Sequence, residues 1–378
     1  MPTTHLLTGA TGLLGAALVL QLAAETDDLM VCLVRPGSGD PTHRLHHTLR
    51  QAATAYGTCD KTTQKALRHS RALPFDLTDP HPPGPGLPAG RDDVEIWHSA
   101  ALMLFRPAER RRSFAANRAG TERMVRLAQQ LPTRTFNYIS TAYVAGLNEG
   151  TITEGPVLQA RPRNPYEASK LSAERRLARA LDLPVRVMRP SIIVGHSQTL
   201  RYPGTPSGLF TVQRLIAAHL LTASPERSPR ISALPEEPFD LIPIDHVAEQ
   251  ATRLHLRDAP TGHYHLTNPA AAPTGEALEA MVANAGRPAP TFQADADHRH
   301  PEDRRLHKML SAFSPYLTNR QRFDRTRTDA ALGLHDAGWR PEKTALRRML
   351  SPFTEDSSTS TGRRGKGMTA GRAPERTR

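Results

Sequence analysis

Short apolar runs alternate with amphipathic stretches through the first 200 residues, the rhythm of strands and helices taken in turn. The run His5-Leu6-Leu7-Thr8 stops at a glycine-punctuated turn, Gly9-Ala10-Thr11-Gly12, and an apolar helical pattern from Leu13 to Ala24 begins at once. Leu29-Met30-Val31-Cys32-Leu33-Val34 is continuous, as expected of a strand buried on both faces. A helix is predicted from Arg44 to Tyr56, Leu73 to Leu77 ends a third strand, and the Pro/Gly-rich stretch from Asp79 to Gly90 reads as loop. Val94 to His98 is a fourth strand, closing on the small residues Ser99-Ala100-Ala101. The pattern from Glu109 to Leu131 predicts a helix with Met124, Leu127, Ala128 and Leu131 on its apolar stripe. Thr135 to Ile139 is a fifth strand, Ala142 to Pro165 a loop, Tyr166 to Leu181 a helix and Val185 to Met188 a sixth strand.

Beyond Gly195 the alternation fades. Helices are predicted at Gly208–Leu221, Asp245–Leu256, Thr274–Ala285, Arg304–Phe313 and Thr344–Leu350, with a proline-broken stretch from Arg230 to Ile242 and one more strand at His263–Leu266. Alternation early and mixed elements late predict an α/β chain, a doubly wound parallel Rossmann sheet with a smaller C-terminal substrate domain. Residues 1–200 form the dinucleotide-binding domain, completed by 241–268; residues 201–350 form the smaller mixed domain, and 351–378 a disordered basic tail.

Composition narrows the function classes. The formal charge of +12 first points to nucleic acid, but the tail from Ser357 supplies +5 of it. The remaining +7 is interspersed with acidic residues and shows no aromatic-basic interleaving, so no nucleic-acid partner is expected. No apolar run reaches the roughly 18 residues of a membrane span, and no basic n-region precedes the first strand. Cys32 and Cys59 are the only cysteines, and Cys32 sits in a strand pattern, so a reducing cytoplasm is expected.

The glycines of the first turn have distinct tasks. Gly9 allows the tight turn, Gly12 lets the backbone approach a pyrophosphate, and Gly15 lets the helix pack against the strand. The helix N-terminus then offers free N–H groups to the anion. Arg35 ends the second strand, where an acid would bind the ribose of NAD and an arginine favours the 2′-phosphate of NADP; Arg44 is a candidate second phosphate ligand. The alternative for either arginine is a solvated surface charge, with the phosphate role favoured for Arg35.

Tyr166, Lys170, Ala173, Leu177 and Leu181 share one helix face, which places a lysine among apolar positions. A carbonyl that receives hydride needs a proton donor at its oxygen, and tyrosine can supply it. A lysine one turn away is expected to draw the phenol toward neutral pH. Thr141 or Ser140, at the end of the neighbouring strand, can hold the carbonyl oxygen from the other side. Asn117 lies on the inward stripe of its helix, where it either makes a structural bond or anchors a water that wires Lys170 to solvent.

With these residues in order, the chain resembles the extended short-chain dehydrogenase/reductases. Within them it looks most like the branch of thioester reductase domains and fatty acyl-CoA reductases. The branch cues are Cys32-Leu33-Val34-Arg35 with Arg44-Leu45, then Tyr138-Ile139-Ser140-Thr141, then Arg189-Pro190-Ser191-Ile192-Ile193-Val194-Gly195. The resemblance covers about Thr3 to Leu350 and is loose after the first 200 residues. It implies NADPH as cofactor, with contacts from Gly9, Thr11, Gly12, Leu13, Leu14 and Gly15. It also implies contacts from Arg35, Arg44, Ala100 and Ala101, from Asp76 and Leu77 flanking the adenine, and from Pro190, Ile192 and Ile193. Counting back five residues from Gly146, as the superfamily's hydroxyl is placed, selects Thr141 to act with Tyr166, Lys170 and Asn117. No metal is implied.

The reaction implied is reduction of an acyl thioester to an aldehyde, or onward to an alcohol. Thioester reductases usually end a longer assembly line, whereas this chain is expected to stand without an adenylation or carrier segment ahead of it. The acyl group is therefore expected in trans, on a carrier protein or CoA, with Arg110-Arg111-Arg112 as a candidate docking run. Another extended-family reaction, ketone reduction or nucleotide-sugar epimerisation or dehydration, uses the same residues; its sugar forms would place an acid where Arg35 stands. A non-catalytic dinucleotide sensor would typically lose the Tyr166/Lys170 pair. Nothing in the later half names the acyl group, and monomer and homodimer both stay open.

Overall fold

The structure is a computed structural model that describes residues 3–79, 86–87, 93–293, 300–333 and 338–354. The tail beyond residue 354 and most of the Pro/Gly-rich loop lie outside these described residues; residues 351–354, expected in the tail, are described, and Phe353 is buried among apolar side chains. Seven parallel strands form the central sheet in the order Gly262–Leu266, Val185–Pro190, Thr133–Ile139, Asp93–His98, Thr3–Thr8, Leu29–Val34, Ser70–Pro74. The chain runs outward from Thr3–Thr8 to Ser70–Pro74, then crosses back and builds the other half from Asp93–His98. The order thus reverses beside Thr3–Thr8, and in open α/β sheets ligands bind in the crevice at that reversal.

Adjacent strand residues face opposite layers. Leu7, Cys32, Trp97 and Met188 pack with helix Leu13–Glu25 and helix Ile244–Leu256. Leu6, Val31, Ile96 and Phe136 pack with Met124, Val125, Ala173 and Leu177 on the other face. A third core, with Phe210, Ile216, Leu278, Met281, Leu310 and Leu350, belongs to the later part of the chain. Among the described residues no helix is long and apolar enough to cross a membrane. Cys32 and Cys59 are both free thiols, as expected.

Several features differ from the sequence reading, among them the third strand, which ends at Pro74 and not at Leu77. Helix Asp60–His69 was not expected, because it buries only Ala66 and Leu67 and carries no apolar stripe. The helix expected over Glu109–Leu131 forms as one uninterrupted run to Ala128, but it opens with a 3-10 turn at Pro107–Glu109 and carries a π-helical segment at Phe114–Ala119 that the periodicity did not predict. The loop expected over Ala142–Pro165 contains strand Gly150–Ile152, which pairs with Gln321–Phe323 far along the chain. Helix Pro165–Leu177 ends early, so Leu181 leaves the expected face and is 93% exposed.

Candidate functional site

Strand Thr3–Thr8 ends in a turn whose glycines are required by space. Gly9 has φ +80°, and a Cβ there would lie 2.7 Å from Ala100 N; at Gly15 it would lie 2.0 Å from Gly9 O. Gly12 N donates to Gly9 O at 2.8 Å, and helix Leu13–Glu25 begins at Gly12 with no side-chain cap and no acid in its first turn. The first N–H groups of a helix have no partner within it. Here they face a cavity of ≈ 570 Å³ at the carboxyl ends of the strands. That donor set and the close backbone approach fit a dinucleotide pyrophosphate.

One cavity gathers most of the expected residues. Gly9, Thr11, Gly12, Leu13, Leu14 and Gly15 line it, as do Arg35, Asp76, Leu77, Ala100 and Ala101. Thr141, Tyr166, Lys170, Pro190, Ile192 and Ile193 line it too, whereas Arg44 and Asn117 do not. Arg44 Nη2 donates to the backbone oxygen of Arg35 at 2.5 Å, so Arg44 braces the Arg35 segment from behind.

Asn117 sits in the π-helical segment, and its amide is committed. Its Oδ1 accepts from Leu102 N at 2.7 Å, and its Nδ2 donates to Leu102 O and to Ser169 Oγ, both at 2.9 Å. Of the two expected roles the side chain takes the structural bond, a clamp between the loop after strand Asp93–His98 and the helix that carries Tyr166. No bond joins it to Lys170.

Asn164 starts that helix by accepting from Glu167 N at 3.0 Å, and Pro165 occupies the first turn. Lys170, 2% exposed, donates from Nζ to Ile139 O at 2.6 Å and lies 4.7 Å over the Tyr138 ring. Burial pushes the Lys170 amine down to about 7, with Glu174 pulling the other way. Burial, with Glu167 adding to it, pushes the Tyr166 phenol above its ordinary range. The expected lowering of the phenol by Lys170 is thus overridden by desolvation at both groups. Thr141 Oγ1 accepts from Tyr143 N at 3.3 Å, which leaves its own proton available. Ser140 also lines the cavity, buried, with its Oγ unpaired, so both candidate hydroxyls reach the site.

A buried histidine escaped the sequence reading. His98 Nδ1 meets Thr8 Oγ1 at 2.7 Å, and its Nε2 meets Thr121 Oγ1 at 3.0 Å. Thr121 spends its proton on Asn117 O at 2.6 Å, so it accepts from His98 Nε2–H, and Thr8 donates to Nδ1. Burial and the Lys170 charge hold His98 neutral, down to about 3. The imidazole therefore ties two strand ends to the helix behind them. Its position at a strand's last residue, before three small ones, was the available signal.

The far wall comes from the later part of the chain. Phe105 lies 6.0 Å from Tyr166 and 5.5 Å from Phe313 between ring centroids. Tyr316 OH donates to Glu167 Oε1 at 2.6 Å, and Arg163 bridges Glu167 to Asn319. Val212, Phe239 and Leu317 complete an apolar wall; among the described residues the charged side chains on the lining are Arg35, Asp76 and Lys170.

A family model described as "Male sterility protein" matches residues 7–251. The chain is similar to a linear gramicidin synthase of Brevibacillus parabrevis, at 29% identity over 73% of this chain and 5% of that protein. It is also similar to isonitrile lipopeptide synthase of Mycobacterium tuberculosis, at 31% identity over 70% of this chain and 11% of that protein. The chain thus spans 11% or less of the length of these two relatives. The solved terminal R domain from the myxalamid PKS-NRPS biosynthetic pathway aligns with a TM-score of 0.69 at 25% identity, over 96% of this chain and 91% of that one.

Proposed function

The chain belongs to the NAD-binding family described as male sterility protein, and on that premise we propose that it is an NADPH-dependent reductase of an acyl thioester. The acyl group arrives on a carrier protein or CoA and leaves as an aldehyde or alcohol. The observation that carries this reading is a single cavity lined both by the glycine turn and by Thr141, Tyr166 and Lys170. Similarity to a terminal R domain and to two synthases favours a thioester over a sugar, and the apolar far wall favours an uncharged acyl group.

In this reading Arg35 takes the 2′-phosphate, and Gly12 with the helix N-terminus takes the pyrophosphate. The bound dinucleotide supplies the hydride. Tyr166 and Thr141 hold the carbonyl oxygen while negative charge grows on it, and Tyr166, kept protonated by burial, gives it a proton. The hemithioacetal so formed loses its thiol as the C–S bond breaks, and the proton leaves with sulfur. A second hydride and proton convert the aldehyde to the alcohol. Lys170, one helical turn from Tyr166, would supply positive charge on the same helix face when protonated. We place this chemistry in the cytoplasm, where free Cys32 and Cys59 stay reduced.

NADPH consumption against acyl-CoA and acyl-carrier thioesters, nucleotide sugars and simple ketones tests the reading. Turnover restricted to thioesters is expected. Turnover of a sugar or ketone with every thioester inert would transfer the site to another reaction of the extended family.

A further inference from the structure

Ser191 follows the last residue of strand Val185–Pro190, next to the strand that ends at Ser140 and Thr141, and it lines the cavity. This places it at the reaction end, with Thr133–Ile139, Asp93–His98 and Thr3–Thr8 standing between it and the Arg35 strand. Its hydroxyl proton is already spent, because Ser191 Oγ donates to Asp240 Oδ1 at 2.5 Å. Asp240 is buried and doubly fixed: its Oδ1 also accepts from Asn268 N at 2.9 Å, and its backbone oxygen accepts from Ile192 N at 3.2 Å. Asn268 is anchored in turn to Leu241 O and Trp339 O, at 2.9 and 2.6 Å. Burial raises the Asp240 carboxyl to about 6, while Ser191, Asn268 and the Arg325 charge lower it, so at neutral pH it stays an acceptor.

A hydroxyl that has given its one proton away can only accept from a further partner. The reacting thioester, a carbonyl and a sulfur, offers no donor. A nicotinamide offers an amide NH₂. We propose that Ser191 accepts a hydrogen bond from the carboxamide of the nicotinamide, and that Asp240 is a positioning residue that turns the Ser191 proton away from the cavity. The inference rests on the dinucleotide reading above and adds to it a side-chain contact that sets the ring's orientation.

Direct binding separates the two. The full chain, Ser191→Ala and Asp240→Asn are titrated with NADP⁺, with its 3-acetylpyridine analogue, which has a methyl in place of the amide NH₂, and with adenosine 2′,5′-bisphosphate. The matching NAD⁺ pair is run alongside. Ser191→Ala is expected to weaken the carboxamide dinucleotide about tenfold, the loss of one hydrogen bond. It is expected to leave the acetylpyridine analogue and the bisphosphate within about twofold. Asp240→Asn is expected to act in the same direction and more weakly, because an asparagine can still accept from Ser191. Equal losses for NADP⁺ and its acetylpyridine analogue, or no loss for either, overturn the Ser191 contact while the dinucleotide reading stands. Failure of the unaltered chain to bind any dinucleotide overturns both.

Discussion

Lys170 Nζ donates to the backbone oxygen of Ile139 at 2.6 Å, which joins the helix carrying Tyr166 to the strand that leads into Ser140 and Thr141. The amine is buried there, and burial lowers it from its ordinary value near 10.5 to about 7. Between these two values the unfolded chain binds more protons than the folded one, so this group makes stability rise with pH. Below about 7 the lysine is charged in both states, and the folded chain carries the full cost of burying it.

Lys170→Met removes that cost. The variant should unfold at a higher temperature than the parent at pH 6, and the gain should shrink steadily toward pH 10. Thermal unfolding at a series of pH values checks this. A gain that grows with pH would contradict the buried-amine account.

Tyr166→Phe should lower kcat by roughly 10²–10⁴-fold, the range for a positioned proton donor. Because the glycine turn and Arg35 are untouched, the dissociation constant for NADPH should stay nearly constant. Near-normal turnover would move the acid to another group, with Thr141 and Ser140 the remaining hydroxyls on that strand end.

Arg35 lines the cavity at the carboxyl end of strand Leu29–Val34, and Arg44 supports its backbone without reaching the lining. Arg35→Ala should weaken NADPH and leave NADH nearly unchanged, whereas Arg44→Ala should have a smaller effect of the same kind. Titration of both nucleotides checks this. Equal affinity of the unaltered chain for the two would sink the assignment.

Arg110, Arg111 and Arg112 are exposed on the short helix that follows Phe105 and the far wall of the cavity. An acidic carrier protein or the phosphates of CoA would be steered toward such a run, mainly through the association rate. The kcat/KM for a carrier-bound acyl group should fall steeply with salt, and Arg110→Glu with Arg111→Glu should depress it further. A short uncharged thioester should show neither effect. Matching salt profiles for both substrates would leave the arginines as solvated surface.

Much of the sheet was legible because its strands are short continuous apolar runs and its first turn is built on glycines, both local signals. Leu29–Val34 was bounded to the residue, and Gly9, Gly12 and Gly15 were singled out by their spacing between a strand pattern and a helix pattern. What depends on a distant partner was not legible. Asn117 stands on an inward stripe, yet its partners Leu102 and Ser169 are set by a π-helical segment that no periodicity announces. Arg44 was read as a second phosphate ligand because it opens the helix pattern after Arg35, and only the fold shows its guanidinium on the Arg35 backbone. The fall of Lys170 and the rise of Tyr166 come from burial, whereas the sequence argument weighed their mutual charge alone. Ser191 and Asp240 lie 49 residues apart, and the pairing of Ile192–Val194 with Leu241–Pro243 brings them together.

The central claim is that hydride passes from NADPH to the carbonyl carbon of a thioester. NADPH carrying deuterium at C4, prepared separately on each face, is incubated with the chain and an acyl thioester, and the product is weighed. From one of the two preparations, one deuterium is expected on the former carbonyl carbon of the aldehyde, or two on that of the alcohol, with release of one free thiol per acyl group. Thiol release with no deuterium on that carbon from either preparation would contradict the account, because it would make the site a hydrolase.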